Sequence, residues 1–321
     1  MTHVGVVFGS MVFGGRIVDQ AIIDAMLTTM VRLGAPQPII DTALVYPMLP
    51  GKEGLTERIL SESLARLQLS ERVQVHSKLN PWCDDKFSAA GVQAQMARVE
   101  ANLGAHKVDL LYLHAPDHSN KIEETLAAVN ELHRAGKFVR FGLSNYSAWE
   151  VAYIVGICKL NNWVVPTVYQ GLYNAISRDV ERELLPCLAK LNIAFYAYNA
   201  TAGGLLTGKH SIDSVPTEGR FSSPVYRQRY WLPAYFQALD KVRDVCVKEN
   251  VTVADASHRW LAHHSKLSGV RADKIIVGAS SVQQLEQNTA ASLGAPLPET
   301  IVAALNEANE IARPSWPSYF R

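Results

Sequence analysis

The sequence predicts an α/β protein with the (β/α)8 architecture of a TIM barrel, and three observations support this. Short apolar segments alternate with longer amphipathic segments along most of the chain. There are eight such short segments, and most of them are continuous apolar runs, which are typical of parallel strands covered on both faces. No low-complexity linker separates the repeats, so we expect one closed barrel domain over residues 1–321.

The eight predicted strands are spread along the whole chain. They cover residues 4–9, 38–41, 73–77, 108–113, 138–143, 164–169, 193–198 and 274–278. The main alternative is an open doubly wound sheet, which usually carries G-x-G-x-x-G after its first strand. The corresponding segment here, "FGSMVFGG", lacks that pattern. The closed barrel is therefore the favoured prediction.

Helical patterns fill the intervals between the strands. They cover residues 19–34, 56–67, 88–104, 121–136, 147–162 and 180–192, with two more at about 234–250 and 252–264. Thr56 and Ser88 open their helices as predicted N-caps, and glycine ends several of the patterns. A last helix opens at "SVQQLEQN", and the tail that ends in "PSWPSYFR" is predicted to lie over the barrel mouth.

The interval after the seventh strand is enlarged, with about 75 residues before the eighth strand. It contains the glycine-rich stretch "NATAGGLLTGK" and the aromatic, basic stretch "VYRQRYWLPAYF". An insertion of this size at the carboxyl rim of a barrel is usually a functional loop.

Composition excludes several classes of protein. A hydrophobic content of 48% with 19% charged residues and a net charge of +1 predicts a soluble globular protein without a nucleic-acid-binding surface. The four cysteines are scattered, which favours free thiols in the cytoplasm over disulfides or a zinc site. The apolar N-terminal segment lacks the features of a signal peptide, and no apolar run is long enough to cross a membrane.

Polar residues at the ends of the predicted strands form the candidate active site, because βα-loops build the site in this architecture. Asp41 and Tyr46 follow the second strand, Lys78 ends the third and His114 follows the fourth. The next three strands end in Ser144 and Asn145, Gln170, and Asn199. Taken alone, each residue has a structural explanation: a helix N-cap for Asp41, rim packing for Tyr46, a solvated charge for Lys78, and a core position for His114.

In combination, four of these residues suggest general-acid chemistry. A tyrosine has an ordinary pKa near 10, and a nearby ammonium group lowers it. Lys78 is predicted to lower the pKa of Tyr46, Asp41 to hold Lys78, and His114 to donate a hydrogen bond or relay the proton. A proton donor aimed at a carbonyl is useful if a hydride reaches the carbon, which requires a nicotinamide cofactor. No cluster of metal ligands is predicted.

A cofactor site is predicted in the enlarged region. "GGLLTGKH" matches G-x-x-x-x-G-K, but His210 replaces the Ser or Thr that a P-loop needs, which disfavours phosphoryl transfer. The same stretch suits a loop whose N–H groups approach a pyrophosphate. Lys209 and Arg220 could bind phosphates, and arginine suits the 2′-phosphate of NADPH. The helix start at 278–288 is a second predicted anion site.

At this point the sequence resembles the aldo-keto reductase superfamily, and more narrowly its branch of aflatoxin-aldehyde (succinic semialdehyde) reductases. The resemblance rests on "DTALVY", "HSK", "LYLHAPD", "GLSNYSAWEVA", "PTVYQGLYNAISRDVERELLPCL", "FYAYNATAGGLLTGK", "GRF", "YRQRYW", "GASSVQQLEQN" and the terminal "YFR". It implies NADPH-dependent reduction of aldehydes, including carboxylate-bearing ones, by a cytoplasmic homodimer. A cofactor-binding regulatory subunit with little turnover is the alternative.

The resemblance also implies roles for individual residues. Tyr46 would donate the proton, with Asp41, Lys78 and His114 around it. Ser144, Asn145 and Gln170 would bind the nicotinamide amide. The pyrophosphate would be wrapped by Asn199, Ala200, Thr201, Ala202, Gly203, Gly204, Leu205, Leu206, Gly208 and Lys209. The adenosine end would be held by Arg220, Gly278, Ser280, Ser281, Gln284, Gln287 and Asn288. The substrate would meet His114, Tyr226 and Arg229.

Two features depart from the family pattern. The family runs from its catalytic tyrosine to the next helix through a short Y-x-x-G-x-S-E motif, and here "PMLPGKE" delays the equivalent Gly54. Ala200 and Thr201 stand where the family usually has Pro-Leu. The first departure is predicted to reshape the substrate pocket, and the second to loosen the cofactor loop.

Overall fold

The computed structural model describes residues 3–34, 36–84 and 86–321. Within these residues, eight parallel strands close into a barrel in chain order, and the last strand pairs with the first. The predicted (β/α)8 fold is thus confirmed. None of the predicted site residues lies among the four residues outside this description.

The strands and helices alternate as the sequence predicts, but the predicted tail also contains an unpredicted helix, Glu299–Ala312. The strands are β1 Gly5–Gly9, β2 Ile39–Asp41, β3 Gln74–Leu79, β4 Val108–Leu113, β5 Phe138–Ser144, β6 Pro166–Leu172, β7 Ala194–Tyr198 and β8 Lys274–Val277. The helices are α1 Gln20–Leu33, α2 Leu55–Arg66, α3 Ala89–Leu103, α4 Ile122–Arg134, α5 Ala148–Leu160, α6 Leu184–Leu191, α7 Pro224–Tyr230, α8 Pro233–Lys248, α9 Val253–His263, α10 Val282–Ser292 and α11 Glu299–Ala312.

Two apolar cores lie on the two sides of the barrel wall, one outside the strands and one inside them. The larger core joins the outer faces of the strands to the helices. The smaller one fills the barrel, and it consists of Val7, Ile39, Leu110, Tyr112, Val168, Ala194 and Tyr196. Because side chains alternate along a strand, residues two positions beyond this plug also point inward, at the carboxyl end of the barrel. Asp41, Gln170 and Tyr198 occupy such positions.

Some local predictions hold and others are wrong. Ser88 caps α3 by accepting from the Gly91 N–H, as predicted. Thr56 does not cap α2: the helix begins at Leu55 after Gly54, and the Thr56 hydroxyl donates to the Phe13 carbonyl at 2.8 Å. The stretch that looked only aromatic and basic forms α7, because Pro224 occupies its first turn.

The tail reaches the barrel mouth, as predicted, since the Arg321 N–H donates to the Asn145 carbonyl at 3.0 Å. All four cysteines are free. Among the described residues, no helix is long and apolar enough to cross a membrane, and no three metal-binding side chains are grouped.

Candidate active site

A buried ion pair links the ends of β2 and β3. The Lys78 ammonium donates to Asp41 Oδ2 at 2.5 Å and to the Thr42 carbonyl at 2.7 Å. The Lys78 side chain is fully buried and that of Asp41 is 4% exposed. Gln170 donates to the other Asp41 oxygen at 2.9 Å. The carboxylate is thus bonded on both oxygens, and its charge is balanced by the lysine.

Tyr46 is held beside this pair by the loop that continues β2. The Thr42 N–H donates to the His76 carbonyl and the Leu44 N–H to the Lys78 carbonyl, so the chain stays bonded to β3 beyond the strand. The Tyr46 side chain is largely buried. Its ring centroid lies 5.2 Å from Lys78 Nζ. The predicted neighbours are therefore brought together.

The pKa of Tyr46 moves the opposite way from the sequence prediction. Burial raises it well above its ordinary value, and the Asp41 carboxylate raises it further. The charge of Arg220 acts in the opposite direction and does not outweigh these two causes. Tyr46 is consequently a protonated phenol at neutral pH.

His114 faces Tyr46 from the end of β4. The two rings meet edge-on with centroids 5.8 Å apart, and the Trp82 ring lies 5.1 Å from the imidazole. Burial lowers the pKa of His114 well below its ordinary value, and the charges of Lys78 and Arg321 lower it further. The imidazole is neutral, and its buried Nδ1 has no partner among the described residues. A neutral imidazole can donate one N–H to a substrate oxygen.

Amide and hydroxyl groups follow on β5 and β6. The Asn145 amide donates to the His114 carbonyl at 2.8 Å and to Ser144 Oγ at 2.9 Å, and its oxygen accepts from the Tyr198 hydroxyl at 2.7 Å. With Gln170 these groups form a buried polar wall beside Asp41. The arrangement places a proton donor, a cation and a neutral hydrogen-bond donor around one point at the barrel mouth.

The glycine-rich loop after β7 presents backbone near this wall. Asn199, Ala202, Gly203, Gly204 and Gly208 all have positive φ, and the Thr201 carbonyl accepts the N–H groups of Gly204 and Leu206. A side chain at Gly204 would meet no atom within 4 Å, so a ligand can approach the backbone there. Leu205 and Leu206 are fully buried core residues, and only their backbone could face a cofactor.

Two cationic side chains, Arg220 and Lys209, lie in the region that follows the glycine-rich loop. Arg220 Nη1 donates to Asn199 Oδ1 at 3.4 Å, and a Cβ at Gly278 would approach its guanidinium to 3.3 Å. Arg220 therefore lies between the ends of β7 and β8. Lys209 is exposed. Neither cation forms an ion pair within the described part of the chain, so a phosphate-bearing cofactor fits this donor set.

At α10, Ser281 caps the helix by accepting from the Gln284 N–H. Ser280 donates through its N–H and its hydroxyl to Gln284 Oε1, and Asn288 donates to the Gly278 carbonyl. Gln287 is exposed on the same helix. Ser280, Ser281 and Gln284 are thus grouped at the start of α10 and bond one another, while Gln287 and Asn288 lie in its middle.

Comparison with known proteins identifies the family. The model of the Aldo/keto reductase family matches residues 5–310.

The chain belongs to the aldo/keto reductase family.

Its relatives align over nearly the whole chain. It is 42% identical to aflatoxin B1 aldehyde reductase member 2 of Rattus norvegicus, over 99% of this chain and 88% of that protein. It is 40% identical to aflatoxin B1 aldehyde reductase member 4 of Homo sapiens and 41% identical to the human aldo-keto reductase family 7 member A3, each over 98% of this chain and 96% of the relative. This aldo/keto reductase is an oxidoreductase that acts on carbonyl groups.

The part of the mouth around Tyr198 carries two arginines, Arg229 and Arg321. Burial raises the pKa of Tyr198, and the guanidiniums of Arg229 and Arg321 oppose that rise, so both arginines lie near its hydroxyl. Arg321 also lies 5.4 Å above the Trp82 ring. Tyr226 is under the Arg220 guanidinium at 5.5 Å. Tyr226 and Arg229 thus lie beside Arg220 and Tyr198 at the mouth.

Three residues of this region were missed from the sequence. Tyr198 could have been found, because it precedes Asn199 at the end of a predicted strand. Trp82 follows Lys78 by four positions in a βα-loop, where an aromatic is a weak signal. Arg321 carries no local signal, since its place depends on the path of the whole tail.

The inserted segment 47–53 leaves and returns beside Tyr46. The Gly54 N–H donates to the Leu44 carbonyl at 2.6 Å, and the Thr56 N–H donates to the Tyr46 carbonyl at 3.4 Å. A Cβ at Gly15 would come within 3.0 Å of Pro47, so the insertion packs on the β1–α1 loop. Met48 and Leu49 stay exposed. The insertion is therefore a surface loop at the rim of the barrel, and its two ends are hydrogen-bonded next to Tyr46.

Proposed function

We propose that this chain reduces aldehydes to alcohols with NADPH, and that Tyr46 is the general acid. The observation that carries the proposal is the meeting of Tyr46, the Asp41–Lys78 ion pair and a neutral His114 around one point at the barrel mouth. The family and its aldehyde reductases support this chemistry. Bound at the loop after β7, a nicotinamide would supply the hydride.

The protein groups then manage the proton. His114 donates a hydrogen bond to the carbonyl oxygen and polarises it. The Tyr46 hydroxyl gives its proton to that oxygen, and Lys78 stabilises the phenolate that remains. Asp41 keeps the buried lysine charged. Ser144, Asn145 and Gln170 would hold the carboxamide of the cofactor, and Arg220 and Lys209 its phosphates.

The two arginines beside Tyr198 favour aldehydes that carry a carboxylate. A guanidinium binds a carboxylate through two parallel hydrogen bonds. Arg229 and Arg321 come from distant parts of the chain to the same hydroxyl, near the Trp82 ring. An aldehyde with a carboxylate a few atoms from the carbonyl would place one group at Tyr46 and the other at these cations.

The test compares Tyr46→Phe with wild type. The variant should lose on the order of 10²- to 10⁴-fold in aldehyde reduction, because it lacks the acid. It should still quench tryptophan fluorescence on binding NADPH. Tyr153→Phe is a matched control, since that tyrosine is exposed and donates to Glu123 on the barrel's outer surface. Full turnover by Tyr46→Phe would refute the tyrosine assignment.

A wild-type protein that binds NADPH but reduces no aldehyde in a panel with and without carboxylates would instead indicate a redox-sensing regulatory subunit. We also propose that the barrel acts as one domain and assembles as a cytoplasmic homodimer. Sedimentation at several concentrations tests the dimer.

A further inference from the structure

Glu57 is a fully buried carboxyl group in the first turn of α2. It lies outside the set of groups that surround the carbonyl. Its Oε1 accepts from the Ser77 hydroxyl at 2.5 Å, and its Oε2 accepts from the Asn102 amide at 2.8 Å. The Glu57 carboxyl therefore joins α2 to β3 and to α3, on the outer side of the barrel.

The position of Ser77 shows which face of β3 Glu57 occupies. Neighbouring residues on a strand point to opposite faces. Lys78 points into the barrel toward Asp41, and Ser77 points outward to Glu57. Lys78 thus has one carboxyl on the inner side of its strand and another on the outer side. Both of these groups oppose the fall in the pKa of Lys78 that burial causes.

Gly54 makes this contact possible. Its φ is +76°, and a Cβ there would overlap the side-chain amide of Asn102. Only glycine at this position lets Asn102 reach Glu57. The Asn102 oxygen accepts in turn from Arg58 at 3.2 Å. The network is therefore built where the chain returns from the 47–53 insertion to α2.

We propose that Glu57 is a positioning residue that fixes β3 and acts as a second counter-ion to Lys78 from the outer face of the strand. The kinetic test of this role rests on the proposed aldehyde reduction, whereas the predicted effect of Glu57 on the titration of Lys78 does not.

The charges around both groups determine the sign of the effect. Glu57 feels the positive charges of Lys78, across the strand, and of Arg58, the next residue on its helix. Inside the barrel, Lys78 meets Asp41, and its Nζ lies 5.2 Å from the Tyr46 ring and 5.7 Å from the Tyr112 ring. The charge of Lys78 also acts on His114, and the charge of Glu57 acts on Lys78 through the strand. Burial raises the pKa of Glu57 to about 7, against the hydrogen bonds from Ser77 and Asn102, so this carboxyl is ionised above neutral pH. Removing its charge leaves Lys78 with one counter-ion, and Lys78 should then lose its proton at a lower pH.

The direct test follows the titration of Lys78 through its Cε resonance in isotope-labelled protein, assigned with Lys78→Met. In Glu57→Gln the midpoint should fall by on the order of one pH unit. The alkaline limb of the pH profile of kcat/KM should move down by the same amount. Glu62→Gln, an exposed neutral substitution on the same helix, should change neither.

Ser77→Ala separates charge from structure. It removes one hydrogen bond but keeps the carboxyl, so the alkaline midpoint of Lys78 should stay near the wild-type value. If Glu57→Gln does not fold, Glu57→Gln/Asn102→Asp restores a donor opposite an acceptor and moves the charge away from Lys78. The midpoint should still fall in that variant. An unchanged Lys78 midpoint in the folded variant overturns the proposal, as does an equal shift in Glu62→Gln. If the Lys78 midpoint falls in Glu57→Gln but the wild-type protein reduces no aldehyde, only the proposed function is overturned.

Discussion

Replacing Asp41 with asparagine should destabilise the fold strongly, because it leaves the Lys78 ammonium buried beside a neutral amide. The pair is separated by 2.5 Å, with side chains 0% and 4% exposed. Breaking a buried pair from one side costs about 3–5 kcal/mol. With about 2.1 cal/mol/K of unfolding entropy per residue, 321 residues give roughly 0.7 kcal/mol/K, so Tm should fall by about 4–7 °C.

The double variant Asp41→Asn/Lys78→Met makes the test specific. It removes both charges, so its loss should be well below the sum of the two single losses. Urea unfolding followed by tryptophan fluorescence measures all four proteins. The loss in Asp41→Asn should also shrink as pH rises, because the lone lysine can then give up its proton. Additive single losses that do not depend on pH would refute the argument that the charges stabilise each other.

Three further predictions concern the mouth and the base of the barrel. Arg321→Leu keeps the backbone hydrogen bond to Asn145. It should raise KM for 2-carboxybenzaldehyde by roughly tenfold and leave KM for benzaldehyde unchanged. An equal change in KM for both aldehydes would show that Arg321 does not bind the carboxylate. Arg220→Met should weaken the binding of NADPH and of NADH alike, by roughly 10- to 100-fold, because Arg220 lies between Asn199 and Gly278. A loss of affinity confined to NADPH would indicate that Arg220 binds the 2′-phosphate. Burial acts to raise the pKa of Asp109, but hydrogen bonds from His76 and Arg140 hold it at about 2. Its contribution to stability should therefore be present above pH 4 and lost between about pH 4 and 2, and Asp109→Asn should remove that acid-dependent part in unfolding curves measured across this range.

The barrel and its four central residues could be predicted because the relevant signals are local. Parallel strands buried on both faces produce apolar runs, and a polar residue at the end of such a run stands out. All strands in a barrel present their carboxyl ends at one mouth. Asp41, Lys78 and His114 therefore meet whatever loops surround them.

The direction of the Tyr46 pKa could not be predicted in this way. The sequence places a lysine near the phenol, but the shift depends on burial and on where the carboxylate lies. Desolvation of the buried phenol is the largest cause of the shift, and the nearby Asp41 carboxylate adds to it. Burial and the position of the carboxylate are properties of the folded chain, and no sequence motif specifies them.

By itself, the sequence determined the repeating architecture, the residues at the strand ends and the glycine-rich loop, because periodicity and turn chemistry act over a few neighbouring positions. The tertiary structure alone decided which side of β3 each residue faces, so that Lys78 meets Asp41 inside the barrel and Ser77 meets Glu57 outside it. It also decided that Arg321 reaches Trp82. These contacts join residues far apart in the chain, and closure of the barrel sets their distances.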